Sequence, residues 1–291
     1  MTNEIFLARA ALHFWEEPCI SGITGSGAVF FTGCPLRCVF CQNRDIAVGN
    51  IGMPVSIERL SDIFIELWQQ GAANINLVTP THYIRQLVPA LEAAKSRGLS
   101  IPVIYNSSAY EKCESLKMLD GLIDVYLPDL KYYSSDISKK YSNAPDYFEA
   151  ASQAIHEMFR QTGVFKFETD YNALPNKDSV YGNEPIEMIK KGTIVRHLVL
   201  PSNTNDSKNV LKYLYNEYRN NIFISIMNQY TPMPDIEKTY PELGRRLTDE
   251  EYEDVVNYAI ELGIENGFIQ EGETSKESFI PKFDFEGVIK H

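Results

Sequence analysis

Ala28-Val29-Phe30-Phe31-Thr32-Gly33-Cys34-Pro35-Leu36-Arg37-Cys38-Val39-Phe40-Cys41-Gln42-Asn43 joins a strand signal to a ligand signal. Ala28 to Thr32 is rich in β-branched and aromatic residues, and Gly33 stops the run. The loop that follows carries three cysteines in a C-x3-C-x2-C pattern, with Phe40 directly before the third. Three thiolates packed this closely repel one another unless a metal centre neutralises them. Soft thiolates select zinc, copper(I) or iron–sulfur. Structural zinc takes four protein ligands, usually as two separated pairs. Three cysteines on one tight loop leave a coordination position open, as in a [4Fe-4S] cluster with one iron free for another ligand. A zinc site completed by Cys19 or His13 is the competing reading. A redox dithiol is weaker, because two cysteines suffice for it.

Outward from this loop, short β-rich runs alternate with helix-period segments. Strands are expected at 75–78, 102–105, 122–127, 193–200 and 222–227, after the first at 28–32. Helices are expected at 56–70, with Ser56 as N-cap, and at 83–97, 110–119, 146–161, 206–218 and 249–262. Strands alternating with helices imply βαβ units and a parallel sheet. Six units are too few for an eight-fold barrel, whose repeats need about 250 residues. The expected fold class is α/β, a partial (β/α)6 TIM-type barrel with N- and C-terminal extensions. It forms a single domain over 1–291, with a core of roughly 27–264, a 1–26 N-terminal extension and a 265–291 C-terminal extension. Two stretches interrupt the alternation. Residues 170–191 are polar and turn-rich and read as a surface excursion, with 164–168 as one arm of a small hairpin. Residues 231–246 contain Pro232, Pro234 and Pro241 and read as a long loop.

Composition bounds the function from outside. The 291 residues carry a net charge of −12, which argues against a general nucleic-acid binder. No run approaches the roughly 18 apolar residues of a membrane span. The N-terminus has Glu4 and no basic region before its short apolar stretch, so it does not read as a signal peptide. Five cysteines are too few for a disulfide framework, and a cytoplasmic setting is expected.

The cysteine loop after the first strand of a partial barrel, with its aromatic before the last cysteine, resembles the radical SAM superfamily. Within it, the chain resembles the pyruvate formate-lyase-activating-enzyme-like branch. That resemblance rests on Gly33 to Cys38 with Gln42-Asn43, on Pro128-Asp129-Leu130-Lys131, and on Val195-Arg196-His197-Leu198-Val199-Leu200-Pro201. His13 to Gly22 and Ser142 to Tyr147 resemble a largely uncharacterised subgroup of that branch. The resemblance implies a [4Fe-4S] cluster on Cys34, Cys38 and Cys41 whose free iron chelates S-adenosylmethionine. It implies reductive cleavage to a 5′-deoxyadenosyl radical that abstracts hydrogen. It further implies an electron donor such as flavodoxin or ferredoxin and an anaerobic setting. A partner glycyl radical enzyme would be the target of an activating enzyme; direct action on a small molecule or peptide is the alternative. The eight additional cysteines of many activating enzymes are missing from this sequence. A zinc- or cluster-binding protein without catalysis is the non-enzyme reading.

In parallel βα folds, ligands sit at the carboxyl ends of the strands. After the second predicted strand come Thr79 and Thr81, where the family usually has a glycine-rich acidic segment. Their hydroxyls are candidates for the same task, against N-capping of the next helix by Thr81 or His82. Asn106 follows the third strand and offers donor and acceptor to a ribose or carboxylate, against simple turn chemistry. Asp129 and Lys131, two apart at a strand end, point the same way. Asp129 suits a ribose hydroxyl or ammonium and Lys131 a carboxylate, against a surface ion pair. By resemblance Arg196 faces the cofactor, Leu198 packs near its adenine, and Phe40 belongs to the same cofactor-binding set. Gln229 is a further candidate at the end of the sixth strand. His197 reads as an outward histidine under a helix. Cys113 reads as packing, and Cys19 as core or channel lining. The run His13 to Glu17 either covers the barrel mouth or leads into a helix.

Overall fold

The computed structural model describes residues 4–170, 186–270 and 280–289. The N-terminal extension enters the sheet: β1 (Ile5–His13) runs antiparallel to β2 (Ser26–Phe31), with α1 (Pro18–Ser21) between them. The cysteine loop and α2 (Arg44–Ala47) lead to β3 (Met53–Val55), which pairs antiparallel with the start of β1. The βα alternation continues with α3 (Ile57–Gln69), β4 (Ile75–Val78), α4 (Ile84–Ser96), β5 (Val103–Ser107) and α5 (Cys113–Leu116). Next come β6 (Val125–Pro128), α6 (Ser135–Ser142), α7 (Tyr147–Thr162), β7 (Lys166–Asp170) and β8 (Ile186–Leu198). The chain ends with α8 (Thr204–Tyr218), β9 (Phe223–Met227), α9 (Asp249–Leu262) and β10 (Gly267–Ile269). The sheet order is β10-β9-β8-β6-β5-β4-β2-β1-β3, with β7 attached to β8. From β2 to β10 every neighbouring pair is parallel, so the expected partial barrel is present as an open, curved α/β sheet.

Side-chain alternation sorts the two faces. Val29, Phe31, Leu77 and Tyr105 point outward into a core shared with Leu60 and Phe64 of α3 and Leu87 and Leu91 of α4. Val195, Ile224 and Ile226 do the same beneath Leu211 and Leu214 of α8 and Val255 of α9. Ser56 caps α3 as expected, accepting from the Arg59 N–H. On the inner face, Ile104, Val125, Leu127 and Ile194 pack with Cys19 and Ile20 of α1. Asn74 ties α1 in place by donating to the Ile20 carbonyl at 2.7 Å and accepting from Ser26 Oγ at 2.6 Å. The interior is therefore plugged at the N-terminal ends of the strands.

Several elements differ from the sequence expectation. β1, β3, α6 and the short seventh parallel strand β10 are additions. The expected helix at 110–119 is reduced to α5 and one 3-10 turn, because Glu111 is buried beneath β5 instead. Its Oε1 accepts from Tyr105, Ser107 and Thr81. The expected hairpin at 164–168 forms as β7 against the first half of β8, which therefore starts earlier than 193. Residues 171–185 of the turn-rich stretch and 271–279 of the C-terminal extension lie outside the described residues. Among the described residues no helix is long and apolar enough to cross a membrane.

Candidate active site

The cysteine loop leaves the carboxyl end of β2 and is held by its backbone. Gly33 and Cys34 donate to the Ile46 and Ala47 carbonyls of α2 at 2.8 and 3.0 Å. Val39 donates to the Tyr141 carbonyl at the end of α6 at 2.9 Å. Gly33 has φ of 97°, and a Cβ there would press on the His82 ring. Leu36 and Phe40 turn inward, and Phe40 meets Tyr132 and Tyr230 edge to face. Cys34, Cys38 and Cys41 are half-buried and border one cavity of about 280 Å³. Burial pushes the Cys41 thiol up to about 11, and Cys38 and Cys34 add to the rise. Burial likewise raises Cys34. Buried thiols such as Cys34 and Cys41 ionise together only around a positive centre. All three thiols line this one cavity, which suits a cluster held by three cysteines, although among the described residues no three such side chains stand close enough to hold a single metal ion. Cys19 lies in the plug at the other end of the barrel and is no fourth ligand.

The same cavity is also lined by a buried charge network. Arg196 donates from Nε to Asp129 Oδ1 at 2.8 Å, from Nη2 to Asn106 Oδ1 at 2.8 Å, and from Nη1 to Glu16 Oε2 at 3.2 Å. Lys131 Nζ bonds the other Asp129 oxygen at 2.7 Å. Asn76 donates to Glu16 Oε1 at 3.0 Å. Burial opposes the charge on Asp129, yet Arg196 and Lys131 hold its carboxyl below the ordinary range. Burial raises Glu16, with Arg196 and Asn76 pulling against it. The inner-face alternation that turns Arg196 and Leu198 into the barrel turns His197 out, where its Nδ1 lies 2.7 Å from the Leu130 carbonyl. Burial lowers His197 to about 4, so it is a neutral packing residue.

The structure brings Cys34, Cys38, Cys41, Phe40, Thr79, Asn106, Asp129, Lys131, Arg196, Leu198 and Gln229 to this one cavity. Thr81 is the exception: its hydroxyl donates to Glu111 at 2.6 Å, it does not cap α4, and it is not among the residues that line the cavity. The Asp129–Lys131 pair, at 18% exposure for each side chain, belongs to the cavity wall and not to the surface. Sequence reasoning missed Glu16 as a partner of Arg196, and Ser142 and Tyr132 beside Cys38. The unusual polarity of His13 to Glu17 was the signal for Glu16: His13, Trp15 and Glu16 all reach the cavity. Ser142 opens the Ser142 to Tyr147 segment of the resemblance, but nothing local tied it to Cys38, and nothing local marked Tyr132.

The family model of the radical SAM superfamily matches residues 28–175, just over half of the chain. The uncharacterized protein MJ0674 of Methanocaldococcus jannaschii is 27% identical over 266 residues, covering 88% of this chain and 68% of the relative. SuiB of Streptococcus suis bound to S-adenosylmethionine is similar in fold, with a TM-score of 0.53 at 13% identity over 82% of this chain and 48% of SuiB. SuiB bound to the precursor peptide SuiA gives a TM-score of 0.52 at 13% identity, over 83% of this chain and 47% of SuiB. The chain thus spans about half the length of SuiB. A domain of pyruvate-formate lyase-activating enzyme from Bacteroides vulgatus covers 66% of this chain at 14% identity, with a TM-score of 0.42 over 94% of that domain.

Proposed function

This chain belongs to the radical SAM superfamily, and from that premise we propose that it cleaves S-adenosylmethionine reductively and directs the resulting radical at a glycine of a partner protein. The observation that carries the reading is the shared cavity, lined both by the three cysteines and by the Asp129, Lys131 and Arg196 network. When bound, the [4Fe-4S] cluster and S-adenosylmethionine supply an electron and a carbon radical able to abstract hydrogen. The chain's own residues do the placing. Cys34, Cys38 and Cys41 hold the cluster. Lys131 receives the carboxylate of the methionyl group, and Asp129 a ribose hydroxyl or the ammonium. Arg196, itself anchored on the Asn106 side-chain oxygen, fixes the Asp129 carboxylate from the other side, so its orientation precedes binding. Leu198 and Phe40 give an apolar wall for the adenine and exclude water.

The cysteines also border a second cavity of about 300 Å³, with Arg37 and Arg44 at its edge. That outer face suits an acidic electron donor of the flavodoxin or ferredoxin kind. Direct action on a small molecule or peptide is the second reading. It is favoured by His13, Trp15 and Glu16, which the N-terminal segment adds to the cavity wall. Anaerobic reconstitution with iron and sulfide, followed by dithionite and S-adenosylmethionine, tests the common core. About four irons per chain and 5′-deoxyadenosine formation, both lost in Cys38→Ala, are the expected result. A colourless protein that binds zinc would overturn it. Trapping of a glycyl radical on a candidate partner separates the two substrate readings.

A further inference from the structure

We propose that Ser142, oriented by Tyr132, is a positioning residue that hydrogen-bonds the Cys38 sulfur and raises the reduction potential of the cluster. The proposal rests on the radical SAM reading of the cysteine loop. Ser142 Oγ lies 3.0 Å from Cys38 Sγ, and Tyr132 OH lies 2.7 Å from Ser142 Oγ. Ser142 is 2% exposed and Tyr132 fully buried, so water does not compete for either bond. A cysteine that ligates iron has lost its proton and can only accept. Ser142 must then donate to sulfur, and its own oxygen is left to accept from the Tyr132 phenol. One charge state of Cys38 thereby fixes the direction of both bonds.

The hydroxyl is also held in register with the loop. Ser142 is the last residue of α6, and Asn143 ends the helix in the left-handed region with φ of 53°. The same helix end accepts the Val39 N–H at the Tyr141 carbonyl and the Arg37 N–H at the Ser142 carbonyl, at 2.9 and 3.4 Å. These two contacts bracket Cys38 on either side. The backbone near Leu36 and Asn43 serves Cys34 and Cys41. Among the described residues, Cys38 alone of the three meets a side-chain donor that a point substitution removes.

One-electron reduction adds negative charge to the cluster and its sulfurs. A donor aimed at a sulfur stabilises the more negative form, and hydrogen bonds to sulfur are among the determinants of cluster potential. The carbonyls at the end of α6 act in the opposite sense, since a helix C-terminus disfavours added negative charge. Ser142 offsets that effect at Cys38. It keeps its proton throughout, and the electron comes from the external reductant.

The test is a redox titration of the reconstituted protein, following the paramagnetic signal of the reduced cluster. Wild type, Ser142→Ala, Ser142→Thr and Tyr132→Phe are compared at equal iron content. Ser142→Ala should shift the midpoint to more negative potential, giving a several-fold smaller reduced fraction at a fixed potential. Tyr132→Phe should shift it the same way by less, and Ser142→Thr should restore it. In the metal-free protein, Ser142→Ala should also change the alkylation rate of Cys38. A fully loaded Ser142→Ala protein with the wild-type midpoint would overturn the proposal. If Ser142→Ala fails to fold, an unchanged midpoint in Tyr132→Phe would overturn it equally. Failure of wild type to take up iron would instead overturn the family reading on which the proposal stands.

Discussion

Arg196 spans three acceptors, and that geometry makes it hard to replace. A lysine keeps the charge but reaches one acceptor at a time, leaving Asp129, Asn106 or Glu16 short of a donor. Losing a buried charged hydrogen bond costs about 1.5–3 kcal/mol, or roughly 10- to 100-fold in an equilibrium. Arg196→Lys is therefore expected to weaken S-adenosylmethionine binding by that order, read by calorimetry on the reconstituted protein, with iron content unchanged. His197 predicts a pH dependence of a different kind. Its folded-state pKa, about 4, lies below the ordinary 6.5, so the unfolded chain binds the proton first. Stability from this group is complete above pH 6.5 and falls as pH drops toward 4, by up to about 3 kcal/mol. Urea unfolding at pH 7 and pH 5 should show the loss, and His197→Gln should flatten it. The sequence placed Arg196 and His197 on opposite faces because period-two alternation is a property of the strand itself, and the family resemblance implied which of them faces inward. It did not pair Arg196 with Glu16, because 180 positions separate them and only the fold brings them together.

Helix ends and strand edges carry the next scale. Thr248 and Glu251 form a reciprocal capping box at the start of α9. Thr248→Ala should lower stability by about 1 kcal/mol, read by thermal unfolding. The C-terminal segment lies along β1, with Ala10 N–H donating to the Glu286 carbonyl at 2.8 Å and Phe285 N–H to the Ala8 carbonyl at 3.1 Å. Arg9 pairs with Asp284 and Glu286, and Arg59 donates to the Gly287 carbonyl. Gly287 has φ of 70°, and a Cβ there would overlap the Ala10 carbonyl oxygen. Gly287→Ala should release this segment, seen as faster hydrogen exchange at the Ala10 amide. Because Ile280 and Pro281 border the cavity, S-adenosylmethionine binding should weaken as well. The sequence predicted the six core strands from their composition. β1 and β3 escaped because β1 is buried along most of its length and lacks clean alternation, while β3 is short and half-exposed. β10 is three residues long and forms only by pairing with β9.

The whole molecule rests on two outer cores, one under α3 and α4 and one under α8 and α9. The cysteine loop adds Leu36 and Phe40 to the second and contributes nothing to the first. Cys38→Ala should accordingly lose iron while its circular dichroism and unfolding midpoint stay near those of metal-free wild type. Unfolding of that variant beside a folded metal-free wild type would show that the Cys38 side chain itself is structural. What the sequence by itself determined was local. Cysteine spacing, strand and helix periods, the Ser56 cap and the Asp129–Lys131 repeat all depend on near neighbours along the chain. They sufficed for the parallel α/β class and the loop and, with the family resemblance, for the candidate ligand residues among the cavity's lining. The tertiary structure alone decided which distant groups complete the site: Glu16 against Arg196, Ser142 and Tyr132 against Cys38, and Glu111 drawing Thr81 away. Hydrogen bonds and ion pairs between remote segments depend on positions fixed to within ångströms. Those positions come from the packing of the whole sheet and not from any window of residues.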